Sequence, residues 1–238
     1  PVSGADSSTA EARPGLGTVF GERRSSPVRN VSFERSSDGP AFLASMLYND
    51  SDGVQTLRAR LGRRWRFDEP VFRSLGGAGF RGGMWGGVVI RVTDSDGQPL
   101  PAYHMDERVL LIGEAGQRYA IEIDNHTNQR YEIVASVDGL DVVDGRAASL
   151  DKHGYVLAPH GQLRIEGYRR NMQEVAAFRF GSVRDAYATR TAEFADRHVG
   201  VIGVALFTER GAEPLQFPSR RTSRDLDDDA ARRELADP

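Results

Sequence analysis

The sequence predicts a mainly β protein, an antiparallel β-sandwich or jelly roll, on three observations. Beyond residue 87, apolar residues recur with period two in many short segments. Turn signals such as Asp138-Gly139 and Pro159-His160-Gly161 separate these segments. The segments also follow one another at near-regular intervals, which favours a sandwich over a parallel α/β sheet.

Seven segments of this region are predicted strands, and one pair of them gives the clearest predicted hairpin. The segments are 88–92, 109–112, 119–124, 131–137, 163–167, 175–180 and 199–207. In 119–124, apolar Ile121 and Ile123 alternate with Glu122, so one face should be buried and the other wet. We expect this strand to pair with 131–137. The segment 199–207 is apolar on both faces, which implies a second layer above the sheet.

The composition divides the chain into four predicted parts. Residues 1–30 are rich in Ser, Gly, Ala, Pro and charge, which predicts a flexible N-terminal arm. Residues 31–87 form an N-terminal portion with a strand, a helix and a Gly-rich hinge. The sandwich domain covers 88–210, with a polar rim insertion near 183–195, and 211–238 is a charged C-terminal tail.

The N-terminal portion contains the first predicted strand and the predicted helix. Residues 41–48 are apolar and are followed by the turn-forming run 49–53. Asp52 is placed as an N-cap, and Val54 and Leu57 recur at helical spacing. Gly62 should end this helix.

Composition and charge exclude several classes of protein. The 238 residues carry a net charge of -3, from 31 basic and 34 acidic side chains, so nothing predicts a nucleic acid partner. Lys152 is the only lysine, which points to the base composition of the genome. The absence of cysteine excludes disulfides, thiolate catalysis, Fe–S clusters and Cys-ligated zinc.

The lengths of the apolar runs and the identity of the first residue indicate where in the cell the protein is located. The longest runs, such as 199–207, are far shorter than the roughly 20 residues of a membrane helix, so no membrane span is predicted. The chain begins at Pro1, and a removed signal peptide would suit a periplasmic or extracellular protein. That is the location we expect, with a cytoplasmic one left open.

Four segments carry a resemblance to a known group of proteins. They are 136–145, 154–161, 165–169 and 198–207, beginning Ser-Val-Asp-Gly-Leu-Asp, Gly-Tyr-Val-Leu, Ile-Glu-Gly-Tyr and His-Val-Gly-Val. Over about residues 118–208 the chain resembles an uncharacterised family of β-rich proteobacterial proteins with no assigned activity. The resemblance implies a β-rich fold and a bacterial source, and it assigns no functional residue.

The candidate partner-binding residues combine positive charge with aromatic rings. Guanidinium groups beside aromatic faces are used to hold acidic protein surfaces, anionic glycans or single strands. The plainer interpretation of the arginines is that they form the solvated face of a helix. For Trp85 and Tyr103, the plainer interpretation is that their rings close the end of the sandwich. The candidates are Arg58, Arg60, Arg63, Arg64, Trp65, Arg66, Trp85 and Tyr103.

Three further sets of residues are candidate sites, and none of them is predicted to bind a ligand. Gly77–Gly82 fits the letters of a dinucleotide-binding loop, but it leads into a strand instead of a helix, so no nucleotide cofactor is predicted. Asp138, Asp141 and Asp144 could offer oxygens to Ca²⁺, although Asp-Gly is also the ordinary hairpin signal. No spacing among the five histidines brings two imidazoles to one face, so no metal is predicted.

Three functions remain open, in order of preference. The first is a non-catalytic structural or protein-interaction module of a bacterial envelope or extracellular assembly, with a protein partner or a second copy bound at the edge strands that a sandwich leaves available. The second is a carbohydrate or envelope-polymer binding module, whose ligand would include anionic glycans. The third is a β-sandwich hydrolase or lyase, which requires two or more histidines to meet acidic side chains in a cleft.

Overall fold

A computed structural model describes residues 15–61, 87–105, 108–188 and 198–212. The described residues form thirteen strands, one α-helix and a short 3₁₀ helix at Val183–Asp185, which confirms a mainly β fold. The strands are β1 Leu16–Ser25, β2 Phe42–Asn49, β3 Val88–Thr93, β4 Ala102–Met105, β5 Arg108–Ile112, β6 Ala120–Asn125, β7 Tyr131–Val137, β8 Leu140–Asp141, β9 Tyr155–Leu157, β10 Gln162–Ile165, β11 Gly167–Arg169, β12 Glu174–Ser182 and β13 Val201–Thr208, and the helix is α1 Ser51–Leu61.

The larger layer of the sandwich-like fold is a seven-stranded sheet. Its order is β4-β5-β2-β13-β7-β8, and β9 also pairs with β7. All of its pairs are antiparallel except β2 with β5, which run parallel. Mixed sheets, in which one pair of strands is parallel and the others are antiparallel, are common among large sheets.

The second layer consists of two three-stranded sheets that meet along β12. Their orders are β1-β12-β11 and β10-β6-β3. Phe178 in β12 donates its N–H to the carbonyl of Glu166, the residue between β10 and β11. Arg118, just before β6, forms an antiparallel bridge with Arg179. The two small sheets therefore continue one another.

The main core lies between the two layers. It contains Met46, Ile133 and Ile202 from the seven-stranded sheet, and Ile121 and Phe178 from the smaller sheets, all nearly inaccessible to solvent. Apolar residues of one face of each strand supply this core, as the period-two alternation predicts. The predicted layers are thus present; a jelly-roll connectivity stays a prediction.

The predicted hairpin between 119–124 and 131–137 is wrong. β6 pairs with β3 and β10, whereas β7 pairs with β13, β8 and β9. The connection passes from one layer to the other, and Asn125 holds it by donating to the carbonyls of Gln129 and Ala158, at 2.7 and 2.8 Å. Alternation gave each strand its buried face, but it does not select the neighbouring strand.

Part of the predicted N-terminal arm is a strand. β1, at Leu16–Ser25, pairs along its length with β12, interrupted by a register shift between Phe20 and Arg23. Its first residues are buried although the segment lacks a long apolar run. Residues 1–14 lie outside the described residues.

Strands from both sides of the predicted division at the Gly-rich stretch lie in one sheet. β2 lies at the centre of the seven-stranded sheet, between β5 and β13, so residues of the N-terminal portion and of the predicted sandwich domain share one sheet. The hinge itself, apart from Gly87, and the charged tail, apart from its first two residues, lie outside the described residues.

The helix begins two residues earlier than predicted. Asp50, and not Asp52, is the N-cap, because its carbonyl accepts from Val54 N–H at 2.9 Å and its Oδ1 accepts from Gly53 N–H at 2.6 Å. Helix α1 is described as far as Leu61, and Gly62, its predicted end, lies outside the described residues. Val54 and Leu57 pack on the outer face of the seven-stranded sheet.

Candidate functional site

Most of the predicted partner-binding residues cannot be placed as side chains. Arg58 and Arg60 lie on α1, with backbones alone described. Arg63, Arg64, Trp65, Arg66 and Trp85 lie outside the described residues. Tyr103 is in β4, packed with Val54 and Leu110 beneath α1, and only 9% of it is exposed. That burial leaves little of the Tyr103 ring for a sugar.

The three aspartates around the β7–β8 turn serve the turn and the core. Asp138 and Gly139 have φ angles of 53° and 77°, the conformation of a two-residue hairpin turn. The Oδ1 of Asp141 accepts from the N–H groups of Val143 and Asp144, at 2.8 and 3.1 Å. The Asp144 carboxylate binds the ammonium of Lys152 instead. Within the described ranges, no group of three such side chains is arranged to hold a metal ion.

A buried polar cluster joins the two layers around Asp138. The Asp138 carboxylate accepts from the Tyr48 hydroxyl at 2.6 Å, from Thr18 N–H at 2.7 Å and from Gly200 N–H at 2.8 Å. The Thr18 hydroxyl lies 2.8 Å from the Tyr48 hydroxyl and 2.6 Å from that of Tyr119. The cluster is inaccessible to solvent, so it fastens β1 and the turn to the core and offers nothing to a ligand.

Burial sets the protonation of this cluster. It raises the pKa of Asp138, against the opposing effect of the hydrogen bonds from Tyr48, Thr18 and Gly200. It also raises the pKa of Tyr48 and Tyr119 well above the usual value for a phenol, and the nearby Asp138 charge adds to both shifts. Both phenols therefore keep their protons at neutral pH, and that of Tyr48 is the donor to Asp138.

A second cluster lies on the outer face of the seven-stranded sheet, around Glu132. Its side chain is 2% exposed and accepts from Arg35 Nε at 2.6 Å and from Gly154 N–H at 3.0 Å. Arg35 also donates to the carbonyls of Leu150 and Lys152, and its guanidinium lies 3.6 Å from the centre of the Phe207 ring. Burial raises the pKa of Glu132, but the bonds from Arg35, Gly154 and His153 outweigh it, and the pKa is lowered.

His153 is the histidine of the described side chains that meets a carboxylate. Its Nδ1 lies 3.0 Å from Glu132 Oε1, and 81% of its side chain is exposed. His160 instead contacts the amide oxygen of Asn128 at 2.7 Å. A hydrolase site of the predicted kind requires at least two histidines that contact carboxylates. Among the described side chains, His153 with Glu132 is the contact of this kind.

A small notch lies where β10 and β11 meet the segment before β6. Its walls come from Arg24, Arg118, Arg164, Glu166 and Ser95, and its floor from Tyr119, Ala177 and Phe178. The enclosed space is about 20 Å³, which holds about one water molecule. A drug-sized organic ligand needs several hundred Å³, so the notch can admit only the tip of a ligand.

An open strand edge is the candidate partner-binding site. The parallel ladder between β2 and β5 begins at the Met46–Val109 pair, so β2 has no strand beside Leu43 on that side among the described residues. Tyr48 donates its N–H toward β13, to Gly200, while Asn49 accepts on the β5 side, from Gly113. Because successive residues point their backbone groups to opposite sides, Leu43 directs its N–H and C=O groups to the open side, whereas the Ser45 carbonyl points toward Val109 of β5.

The side chains at this edge are also available. Leu43 is 59% exposed, the highest value among the large apolar side chains of the described residues, and Ser45 is exposed. Both lie on the outer face of the sheet, between the part covered by α1 and the part covered by Phe33. Sequence reasoning named edge strands as binding sites but could not locate this one, because its openness depends on where β5 begins.

The comparisons with known proteins add no further information. No protein-family model, no curated protein and no solved structure matches this chain. Within the described residues, no helix is long and apolar enough to cross a membrane. The open edge and the notch therefore have to be interpreted from their own chemistry.

Proposed function

We propose that this chain is a non-catalytic protein-interaction module that binds an extended segment of a partner polypeptide at the open edge of β2. The observation that carries the proposal is that Leu43 has no strand partner on one side of β2 among the described residues, while its side chain is 59% exposed. An added strand gains affinity from main-chain hydrogen bonds and specificity from side-chain contacts. Natural proteins usually protect such an edge with charge or proline, and neither stands at Leu43 or Ser45.

The rigidity of the surrounding sheet supports the same proposal. β2 is held along its other side by β13, and the two strands pair from Phe42 to Leu47. Its inner face packs Ala44, Met46 and Tyr48 into the main core. A strand that is already ordered binds an extended segment without a further loss of its own conformational entropy.

The expected location belongs to the same proposal. We expect the partner in an assembly of the bacterial envelope or outside the cell, and fractionation of the source cells tests this. The partner is protein and not nucleic acid, in keeping with the net charge of -3.

A substitution that blocks only the open side of β2 tests the proposed function. Leu43→Pro removes an N–H that points away from β13, so the sheet keeps its own hydrogen bonds. Leu43→Thr is the matched control, because it shortens the side chain and keeps the N–H. Peptides selected from a random display library on the wild-type protein should bind the Pro variant about tenfold more weakly, since one main-chain hydrogen bond is lost and the proline ring obstructs the edge.

The selected peptides should also protect the amides of Leu43 and Ser45 from hydrogen exchange. If the partner is a second copy, light scattering will show a dimer that disappears in Leu43→Pro. Equal peptide binding by the Pro variant, or protection confined to other amides, contradicts the proposed function.

A further inference from the structure

The notch beside Arg24 and Arg118 has a chemistry of its own, separate from the edge of β2. Three of its wall residues are arginines, Arg24, Arg118 and Arg164, and one, Glu166, is acidic. Their side chains are between 20% and 41% exposed, so they are neither buried in the core nor free in solvent. The lining thus concentrates positive charge around a space that admits about one heavy atom.

Two of these arginines keep unused donors. Arg24 binds Glu166 through Nε at 2.8 Å, and its two terminal nitrogens have no partner among the described residues. Arg118 uses Nη1 for Glu22 at 2.8 Å, and its Nε and Nη2 are likewise without a partner there. The guanidinium fork is suited to bidentate contacts with phosphate and carboxylate oxygens.

One carboxylate beside the notch, that of Glu22, is shared between two arginines. Glu22 is shared, because its two oxygens bind Arg118 and Arg179, each at 2.8 Å. Its own backbone N–H and the Arg179 guanidinium lower the pKa of Glu22 to about 2. The Glu22 charge is therefore divided between two arginines.

Arg164 is held in place by the sheet around it. Its Nη1 donates to Glu122 and, at 3.2 Å, to the hydroxyl of Thr93, and Nη2 donates to the carbonyl of Asp94 at 3.3 Å. Glu122 is shared as well, since Arg91 lies 3.9 Å from it. Arg164 thus forms a fixed positive wall, while the exposed Ser95 can offer a hydroxyl at the mouth.

We propose that this notch binds a phosphate group, with one oxygen inserted between the Arg24 and Arg118 guanidinium groups. The unused donors of Arg24 and Arg118 attract a phosphate dianion more strongly than a singly charged group. The enclosed space accepts a single oxygen, and the remaining oxygens stay in the open mouth near Ser95. Both free phosphate and a phosphomonoester can therefore bind, because the organic part of the ester lies outside the notch.

Titration with inorganic phosphate at low ionic strength, where screening is weak, tests the site. NMR of the Arg24 and Arg118 side chains should show saturable shifts with phosphate and weaker ones with acetate at equal ionic strength. Arg24→Gln and Arg118→Gln should each weaken binding about tenfold, since each removes a charge-assisted hydrogen bond. Arg210→Gln, which removes an exposed arginine distant from the notch lining, is the control and should change the affinity less than about twofold.

Two further measurements keep the result decisive. Ser95→Glu places a carboxylate at the mouth, disturbs no ion pair and should abolish phosphate binding even if an arginine variant fails to fold. A titration with phosphoserine, compared with the titration with inorganic phosphate, shows whether the notch binds a phosphomonoester or free phosphate more tightly. Non-saturable shifts, or an equal loss in Arg210→Gln, overturn the proposal and leave the proposed strand-binding function untouched.

Discussion

The Tyr48 hydroxyl donates to the Asp138 carboxylate at 2.6 Å inside the sandwich, and it thereby connects β2 to the turn that follows β7. Asp138 also holds Thr18 of β1 and Gly200, which precedes β13. One buried carboxylate thus joins four parts of the chain that are distant in sequence. Its cost of burial is offset by these donors.

Tyr48→Phe tests the value of this connection. The variant keeps the ring in the core but leaves Asp138 with one donor fewer, so the free energy of unfolding should fall by about 1–3 kcal/mol. Urea denaturation at neutral pH measures it. Tyr131→Phe is the matched control, because the Tyr131 hydroxyl accepts only a long bond of 3.3 Å from Thr127 and should matter much less. Equal losses in both variants would contradict the assigned role of Tyr48.

Glu132 predicts a loss of stability in acid. Its pKa is lowered in the folded state, so its contribution is present above the unfolded value near 4.5 and is lost as pH falls through the folded pKa. Arg35→Gln removes a principal donor and should destabilise the protein by about 3 kcal/mol at pH 7. It should also flatten the pH dependence below about pH 4.5.

Urea denaturation over a pH series checks both parts of the Glu132 prediction. Arg210→Gln serves as the control, because Arg210 and its partner Glu34 are 67% and 66% exposed and should contribute little. A variant Arg35→Gln with the wild-type acid profile would show that Glu132 does not depend on this guanidinium.

Asp50 and Asp52 distinguish two assignments of the helix cap. Asp50→Ala should lower the free energy of unfolding by about 1 kcal/mol, because it removes the acceptor for Gly53 N–H. Asp52→Ala should cost only about 0.3–0.5 kcal/mol, through the helix dipole. Thermal and urea unfolding of the two variants give the comparison, and the reverse order would restore Asp52 as the cap.

Gly154 is required by a close approach of two backbones. A Cβ at this position would overlap the carbonyl oxygen of Ile133, and backbone cannot move aside as a flexible side chain can. Gly154→Ala should therefore destabilise the protein by about 1–3 kcal/mol. Gly39→Ala is the control, since a Cβ at Gly39 meets nothing closer than 3.8 Å and should be neutral or slightly stabilising. A neutral Gly154→Ala would mean that β7 and the 153–155 segment separate more easily than the structure indicates.

The accuracy of the sequence-based predictions followed the range of the interactions involved. The strand at 131–137 was predicted to the residue, and the Asp138-Gly139 turn formed as expected, because alternation and turn chemistry act over a few residues. The pairing of β6 with β7 was wrong, since several strands have a similar apolar face and only packing selects among them. β1 was missed because Thr18, a polar residue, is buried there by partners at Tyr48 and Tyr119.

The candidate sites show the same limit. Edge strands were predicted as binding sites, yet the position of the open edge depends on the ladder between β2 and β5 starting at the Met46–Val109 pair. The notch was not predicted at all, because Arg24, Arg118 and Arg164 come from three separate parts of the chain. No local pattern marks residues that meet only after folding.

The sequence by itself determined the β class, the buried face of most strands and the hairpin turn at Asp138-Gly139. These properties depend on neighbours within a few residues and on the separation of apolar from polar side chains. Only the tertiary structure decided which strands are neighbours, which polar groups share the core around Asp138, and which edge and which arginines remain available. Those outcomes depend on contacts between distant segments, where many pairings satisfy the same local pattern and close packing selects one.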